Sequence, residues 1–344
     1  MTRVYLDYNA TAPLRAEARA AMIEAMDVAG NPSSVHAEGR AARGLVERAR
    51  ARVAAAVGAK PQEVVFTSGA TEAAGVLARW PGPVEVQETA HDALWSHRRE
   101  GGGGARIHAM GLANSETGIV TEPPAPPVAR EGALLLDITQ AVGRLPFSFA
   151  WSGADMCVMS AHKLGGPKGV GALIVREGLE IPALSLGGGQ EMGRRSGTEN
   201  IMGIAGFAAA AEAAMRDQEA GVWTRVGKLR NILESCLVDS AKETIFVGIS
   251  DRRLPNTACF ITPGWKGETQ VMALDLAGFA ISSGSACSSG KVRASRVLRA
   301  MGFEAGHAAC AVRVSLGPAT TEDEVIRFAR TWAGLHDKHR ARAA

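Results

Sequence analysis

The stretch Ser160-Ala-His-Lys-Leu-Gly-Gly-Pro-Lys-Gly-Val-Gly171 gives the first indication of the fold. It follows the short apolar run Met156-Cys-Val-Met-Ser160, which predicts a buried strand, and it enters a glycine-rich turn. Most lysines are solvated surface charges, but Lys163 comes just after that strand and beside His162. Desolvation makes a lysine amine able to form a Schiff base with an aldehyde. Lys163 is therefore a candidate for a covalent link to a cofactor.

The same order of short strand, turn and helix recurs along the first part of the chain. Further strands are predicted at Glu63–Thr67, Val84–Gln87, Ile107–Met110 and Ala133–Asp137, and helices at residues 14–29, 37–57 and from Ile204 towards Leu237. This alternation predicts an α/β fold with a mostly parallel central sheet that helices cover on both faces. In such sheets the ligand site lies outside the carboxyl ends of the strands.

After about residue 240 the pattern changes to a smaller α+β arrangement. Short strands are predicted at Thr244–Val247, Ala258–Thr262, Ala280–Ser282 and Val312–Leu316, with helices at residues 267–278 and 292–302 and from Thr321. We therefore predict a large domain over residues 14–239, and a small domain formed by residues 1–13 and 240–344.

Composition and charge exclude several classes of protein. The net charge of +3 over 344 residues gives no reason to expect nucleic-acid binding. No stretch approaches the roughly 20 apolar residues of a membrane span, and no signal peptide is recognisable, so we expect a cytoplasmic protein without a membrane partner. The basic run at the C-terminus is interpreted as a solvated tail. It consists of Lys338, His339, Arg340 and Arg342.

The five cysteines are widely spaced and include no CxxC pair, which argues against disulfides and zinc sites. Four of them lie in helical or strand-like stretches, as expected of inert packing residues. Cys287 instead lies among small polar residues, in Ser282-Ser-Gly-Ser-Ala-Cys-Ser-Ser-Gly290. An exposed thiolate nucleophile fits such a segment. We expect the segment around Ser288–Val292 to be poorly ordered in the resting protein.

Two further segments complete a set of polar groups at predicted strand ends. Thr67-Ser-Gly-Ala-Thr71 opens a helix and offers backbone N–H groups and hydroxyls to an anion, although ordinary helix capping explains it equally well. Asp137 ends the run Leu134–Leu136, where it is either a turn cap or a functional carboxylate. An aldehyde cofactor with a phosphate and a ring nitrogen needs a lysine, an anion site and a carboxylate. Arg313, within the strand Val312–Leu316, needs either a substrate carboxylate or a structural acid as its partner.

Taken together, these motifs resemble the cysteine desulfurase family of NifS/IscS type, within the class V aminotransferases of fold type I. The likeness runs from Tyr5 to about Thr321 and keeps the family's order. Its motifs are Tyr5-Leu-Asp-Tyr-Asn-Ala-Thr-Ala-Pro13, Asn31-Pro-Ser-Ser-Val-His36, Phe66-Thr-Ser-Gly-Ala-Thr-Glu72, Ala113-Asn-Ser-Glu-Thr-Gly118, Asp137-Ile-Thr-Gln140, Ser160-Ala-His-Lys163, Arg195-Ser-Gly-Thr198, Ser283-Gly-Ser-Ala-Cys287 and Arg313-Val-Ser-Leu-Gly317.

The resemblance implies a pyridoxal 5'-phosphate enzyme that converts L-cysteine to L-alanine and leaves a persulfide on Cys287. By the same resemblance, Lys163 holds the cofactor, Asp137 pairs with its ring nitrogen, and Gln140 bonds its phenolic oxygen. His91 stacks on the ring and shuttles protons. The phosphate contacts implied are Ala70, Thr71, Ser160 and His162. Thr198 reaches the cofactor of a second subunit in a homodimer, and Asn114 and Arg313 bind the substrate carboxylate.

The chain also departs from the family's pattern. Only 22 residues separate His91 from Asn114, where the family has a further strand–helix unit. This loss and the short basic C-terminus leave the chemistry intact but put the docking of a sulfur acceptor, such as an iron–sulfur scaffold protein, in doubt. Three alternatives remain: a selenocysteine lyase or other class V enzyme, a non-catalytic scaffold subunit, and a nucleotide-binding fold. The missing glycine fingerprints disfavour the last.

Overall fold

The computed structural model describes residues 3–124, 132–284 and 294–343. Its strands are β1 Val4–Tyr5, β2 Val64–Thr67, β3 Val84–Val86, β4 Ile107–Gly111, β5 Ala133–Asp137, β6 Met156–Ser160, β7 Gly171–Val175, β8 Ile245–Phe246, β9 Thr257–Ile261, β10 Phe279–Ala280, β11 Ser282–Ser283 and β12 Ala311–Ser315. Its helices are α1 Ala16–Met26, α2 Ala37–Ala56, α3 Ala70–Ala74, α4 Asp92–Trp95, α5 Ile201–Glu219, α6 Val222–Ser240, α7 Gly267–Leu276, α8 Arg296–Ala300, α9 Ala305–Ala308 and α10 Glu322–Ala343.

The chain forms two compact units. The large unit contains Thr11–Ala113 and Thr121–Glu219, and the small unit contains Met1–Ala10, Asn114–Val120 and Ala220–Ala344. The compact units of the structure divide between Glu219 and Ala220. The predicted domain boundary between residues 239 and 240 stays a prediction. Helix α6 belongs to the small unit because it packs against α10.

A six-stranded sheet in the order β2-β7-β6-β5-β4-β3 forms the centre of the large unit. Strands β3 to β6 pair in parallel, and β7 runs antiparallel between β6 and β2. The apolar runs of β5 and β6 are almost wholly buried, as expected for strands covered on both faces. The α/β prediction with a largely parallel sheet is confirmed.

Helix α5 packs against α1 and α2 in the large unit. Eleven of its residues are buried, mostly alanines, because small side chains let neighbouring helices approach closely. The sequence predicted a helical pattern through to Leu237, but the structure ends α5 at Glu219. Gly221 has a φ of +70° there, a left-handed conformation that glycine adopts easily and that separates α5 from α6.

The small unit is built on the four-stranded sheet β11-β12-β9-β8, and β1 pairs in parallel with β10. The predicted strand Ala280–Ser282 is two short strands, one on each side of Ile281. Apolar residues of β9 and β12 pack with α6 and α10 into one core that includes Phe260, Phe328 and Trp332.

The C-terminal basic run is not a tail. It continues α10, and the His339 ring stacks on Trp265 with 5.3 Å between ring centroids. Within the described residues, no helix is both long and apolar enough to cross a membrane.

Candidate active site

Two strands of the large unit, β2 and β6, place polar side chains next to each other at their carboxyl ends. Thr67, at the end of β2, and Ser160, at the end of β6, both pair with Gly171 at the start of β7. Because β7 is antiparallel to both neighbours, β2 and β6 run in the same direction and end together. A Cβ on Gly171 would lie 2.6 Å from the Cα of Gly69, so glycine is needed for the turn after β2 to pack here.

The predicted anion site at the start of α3 is fastened to β6. The Ala70 backbone N–H donates to the Ser160 hydroxyl at 2.8 Å, and the Thr71 side chain is exposed. The resemblance implies this N–H as a phosphate contact, and that assignment stays a prediction; in the structure the N–H bonds to Ser160. The hydroxyls of Thr71 and Ser160 remain the groups that an anion would meet at this position.

Lys163 ends a short 3-10 turn that follows β6 directly. Its side chain is half-buried, while Lys168 in the same glycine-rich turn is exposed. The neighbouring His162 ring contacts the Thr11 hydroxyl through Nδ1 at 3.2 Å. Burial, followed by the charges of Lys163 and Lys168, lowers the pKa of His162 to about 4. His162 is therefore a neutral hydrogen-bonding group at physiological pH.

Asp137 lies at the end of β5, the parallel neighbour of β6, and one of its carboxylate oxygens accepts from the Thr139 N–H at 2.9 Å. The buried Gln140 side chain follows in the same turn. Arg144 Nη1 donates to Gln140 Oε1 at 2.5 Å, and Arg144 Nη2 donates to the Lys163 carbonyl at 3.2 Å. Arg144 thus fixes the Gln140 amide with its oxygen towards the arginine, and ties this turn to the backbone of Lys163.

His91 caps the N-terminus of α4. Its ring is exposed, and Nδ1 accepts from the Ala93 N–H at 3.1 Å. Since an accepting Nδ1 carries no proton, the proton of the neutral ring is on Nε2. The cap therefore fixes both the orientation of the ring and the nitrogen that can give up a proton.

The segment that carries Thr198 is fixed to the elements around the anion site. Arg195 Nε donates to Glu72 Oε1 in α3 at 2.8 Å. Burial acts to raise the pKa of Glu72, but hydrogen bonds from Arg195 and Ser68 outweigh it and the net shift is downward. Thr198, three residues further on, is exposed.

A buried ion pair holds the other end of this segment. Arg50 binds both carboxylate oxygens of Glu191 at 2.7 and 2.8 Å, and the Phe66 N–H donates to the same carboxylate at 2.7 Å. Glu191 and Met192 both have positive φ, which is strained for residues other than glycine. These contacts keep the turn in place despite that strain.

Arg313 lies in β12 of the small unit, with only 3% of its side chain exposed. Its Nη2 donates to Asp7 Oδ1 at 2.8 Å, and its Nη1 donates to the Ser115 carbonyl at 2.9 Å. A structural acid is thus present, the second of the two partners considered from the sequence. Arg313 Nε is buried and has no hydrogen-bond partner among the described residues.

Asn114 begins the turn that contains Ser115. Its Oδ1 accepts from the N–H groups of Glu116 and Thr117 at 2.8 and 2.9 Å. This Asx arrangement fixes the amide with its oxygen towards the backbone. Asn114 and Arg313, the two residues predicted to bind a carboxylate, are thus linked within the small unit through Ser115.

Cys287 and the segment Ser288–Val292 lie outside the described residues, so the expected loop order and the position of the nucleophile stay predictions. The four described cysteines are free thiols, and Cys157, Cys259 and Cys310 are buried. Burial raises the pKa of Cys259 to about 12, which leaves its thiol protonated and unreactive.

Asp7 and Arg144 are the functional neighbours that the sequence did not single out. The sequence offered one indication of the Arg144 contact: Arg144 stands four residues after Gln140, in a segment that precedes a buried strand. For Asp7 it offered none beyond membership of the N-terminal motif, since the partner of Asp7 is 306 residues away.

The chain matches known proteins over nearly its whole length. A family model described as aminotransferase class V matches residues 4–91 and 102–328, and the unmatched residues between these ranges lie between His91 and Asn114. A cysteine desulfurase from Cereibacter sphaeroides is 39% identical, with 99% of this chain and 97% of the relative covered. A cysteine desulfurase from Frankia sp. (strain EuIK1) is 40% identical, with 94% and 88% covered.

The fold is also similar to that of a solved structure. The X-ray structure of a NifS-like protein from Rickettsia africae ESF-5 superposes with a TM-score of 0.88 at 26% identity, covering 97% of this chain and 99% of that one. The match of the family model and the identity to the curated relatives lead to the same assignment. The chain belongs to the class V aminotransferase family.

Proposed function

We propose that this protein is a pyridoxal 5'-phosphate-dependent cysteine desulfurase, which converts L-cysteine to L-alanine and takes the sulfur onto Cys287 as a persulfide. One structural observation carries the proposal: Lys163 follows the end of β6, and Asp137 is the last residue of the adjacent parallel strand β5. The anion site at the end of β2 is hydrogen-bonded to the end of β6. Relatives of nearly the same length that are named cysteine desulfurase support the choice of reaction.

The residues present suit pyridoxal 5'-phosphate. A half-buried amine stands after β6, a carboxylate stands at the end of β5, and the Ser160 and Thr71 hydroxyls accompany a neutral His162. We assign the covalent link to Lys163 and the ring nitrogen to Asp137. We assign the phosphate to Ser160, Thr71 and His162, with the backbone N–H of Ala70. When bound, the cofactor supplies an electron sink for charge that develops at the substrate Cα.

The side chains of the large unit then have separate tasks. Asp137 keeps a negative charge at the ring nitrogen, and Gln140, whose oxygen faces Arg144, offers its amide N–H groups to the phenolic oxygen. His91 holds its transferable proton on Nε2, because its Nδ1 is engaged by Ala93. Lys163 is the base that can move a proton at Cα once its amine is released.

The small unit supplies the carboxylate site and the thiol. Asn114 and Arg313 hold the substrate carboxylate, and the Cys287 thiolate attacks the substrate sulfur. The sulfur–carbon bond of the substrate breaks, a sulfur–sulfur bond forms on Cys287, and Cβ gains a proton to complete L-alanine. Of the cysteines, we assign this step to Cys287, because burial makes three of the others poor nucleophiles.

The proposal extends to the assembly and to the fate of the sulfur. We propose a homodimer in which Thr198 reaches the phosphate of the second subunit's cofactor, and its exposure is compatible with that role. A sulfur-acceptor protein such as an iron–sulfur scaffold would then remove the persulfide. A reducing compartment such as the cytoplasm suits a catalytic thiol.

The test is L-alanine and persulfide formation by the cofactor-loaded protein, with Cys287→Ser and Cys236→Ser compared in parallel. We expect Cys287→Ser to retain the spectral response to L-cysteine but to form no persulfide, and Cys236→Ser to behave as the wild type. Selenocysteine in place of L-cysteine separates a lyase from a desulfurase. If the wild type takes up cofactor but releases L-alanine from neither amino acid, the protein is a non-catalytic subunit.

A further inference from the structure

Two Nη atoms of the Arg313 guanidinium are held by protein groups inside the small unit. Asp7 binds Nη2, the Ser115 carbonyl binds Nη1, and the second oxygen of Asp7 accepts from the Ser282 hydroxyl at 2.9 Å. Asn9 Nδ2 in turn donates to the Ser115 carbonyl at 3.2 Å. Of the N-terminal motif, Asp7 therefore contacts the arginine directly, and Asn9 contacts the carbonyl that accepts from it.

A buried guanidinium needs this support. An arginine with 3% of its side chain exposed would be strongly destabilising as an isolated charge, and Asp7 removes that penalty by supplying a counter-ion. Two anchored Nη atoms also fix the plane of the fork, because a planar guanidinium held at two points cannot rotate. The geometry is thus set before any substrate arrives.

The same arrangement leaves the arginine with donors for an additional acceptor. Of its five N–H groups, Asp7 and Ser115 use one each. Nε is buried and unpaired among the described residues, which is costly unless a ligand or a rearrangement satisfies it. The arginine therefore has N–H groups to offer to a further acceptor such as a carboxylate.

We propose that Asp7 is a positioning residue for substrate binding: it holds Arg313 in the orientation that accepts the substrate carboxylate. The inference rests on the proposed function and deepens it. Two substitutions of Asp7 separate the hydrogen bonds of its side chain from its charge. Asparagine at position 7 keeps an acceptor for Arg313 and a partner for Ser282, whereas alanine keeps neither.

The experiment measures how much the substrate carboxylate contributes to binding. Cofactor-loaded protein is titrated with L-alanine and with ethylamine, which has the same amine but no carboxylate, and the cofactor absorbance reports each Kd. The Kd for ethylamine divided by the Kd for L-alanine measures how much the carboxylate contributes to binding. We expect Asp7→Ala to lower this ratio about tenfold through loss of a charge-assisted contact, and Asp7→Asn to stay within about threefold of wild type.

Two controls separate the possible failures. Asp275→Ala removes an exposed ion pair with Arg3 in the same unit and is expected to leave the ratio unchanged. Arg313→Ala is expected to abolish the preference for L-alanine. If it does not, both the carboxylate assignment and this inference are overturned; if it does and Asp7→Ala keeps the wild-type ratio, only this inference is overturned.

A merely structural role of Asp7 predicts a different pattern. It would lower the melting temperature of Asp7→Ala and weaken both amines equally, leaving the ratio as in wild type, which overturns the proposal. Should Asp7→Ala fail to fold, Asp7→Glu is the second variant. It keeps the charge but displaces the guanidinium, so the same fall in the ratio is expected, and an unchanged ratio counts against the proposal.

Discussion

Lys163 and Lys168 lie in the same glycine-rich turn, yet one side chain is half-buried and the other is exposed. Only Lys163 directly follows β6, whose parallel neighbour β5 ends at Asp137. We therefore expect Lys163→Ala to abolish borohydride trapping of pyridoxal 5'-phosphate, and Lys168→Ala to retain it. Mass spectrometry of the reduced, digested protein checks both variants, and full trapping in Lys163→Ala would show that another amine binds the cofactor.

His162 gives a pH dependence that can be measured at equilibrium. Its folded pKa of about 4 lies below the ordinary value of 6.5, mainly because the ring is buried. Between these values the unfolded state binds the proton and the folded state does not, so stability is lost as the pH falls from 6.5 towards 4. We expect the melting temperature of His162→Asn to fall less over this window than that of the wild type. Parallel curves would mean that the ring is not desolvated.

For single residues, the sequence indicated the candidate site residues better than it indicated their hydrogen-bond partners. Lys163, Asp137 and the Thr67–Thr71 turn each follow a strand, and strand ends can be recognised from apolar runs. Asp7 could not be assigned to Arg313 in the same way, because their contact depends on β1 joining β10 and on the register of β12. Likewise, the hydrogen bond from the Ala70 N–H to the Ser160 hydroxyl depends on how β2, β7 and β6 align, which the sequence alone does not show.

Strand β7 shows how one element sets the position of others. Gly171 lies between Thr67 and Ser160, and a Cβ there would contact Gly69 at 2.6 Å and the Met159 carbonyl even more closely. We expect Gly171→Ala to destabilise the protein by about 1–3 kcal/mol through overpacking and to weaken cofactor binding, because the turn before α3 must move.

Gly103→Ala is the matched control for this change, since nothing lies within 4 Å of a Cβ at Gly103 in the same unit. Urea unfolding gives the free energies, and equilibrium dialysis gives the cofactor affinity. Equal values for Gly171→Ala and Gly103→Ala would show that the glycine at the start of β7 is not required for the packing of this turn.

Elements differed in how well the sequence defined them. Strands β5 and β6 have the predicted limits because their apolar runs are continuous and are bounded by polar residues. Strand β7 was not predicted, since its residues follow a glycine-rich turn that reads as loop. Helices α5 and α6 were predicted as one pattern, because helical periodicity continues across Gly221 and only its left-handed backbone reveals the break.

For the whole molecule, the proposed homodimer makes a direct prediction. A single chain has a mass of 35.9 kDa, and Thr198 is exposed on a segment that Arg50–Glu191 and Arg195–Glu72 hold in place. We expect light scattering after size exclusion to give twice the mass of one chain, independent of cofactor loading. A mass of one chain at micromolar concentration would remove the role proposed for Thr198.

The sequence predicted that there are two domains more securely than where they divide. A change from α/β alternation to a smaller α+β pattern is visible in the sequence near residue 240, but α6 has an ordinary amphipathic pattern that fits either side. Its membership depends on packing against α10, about a hundred residues later. No sequence pattern indicates that Asn114–Val120 belongs to the small unit while the residues on both sides of it belong to the large unit.

The pairing of β1 with β10 also affects how the protein is made. Phe279, the strand partner of Val4, is synthesised 275 residues after it. At translation rates of roughly 5–20 residues per second, that interval lasts about 14–55 s. Throughout it the nascent chain already contains Asp7 but neither β10 nor Arg313. Arg313 therefore meets Asp7, its counter-ion, only after β12 has been synthesised, 306 residues later than Asp7.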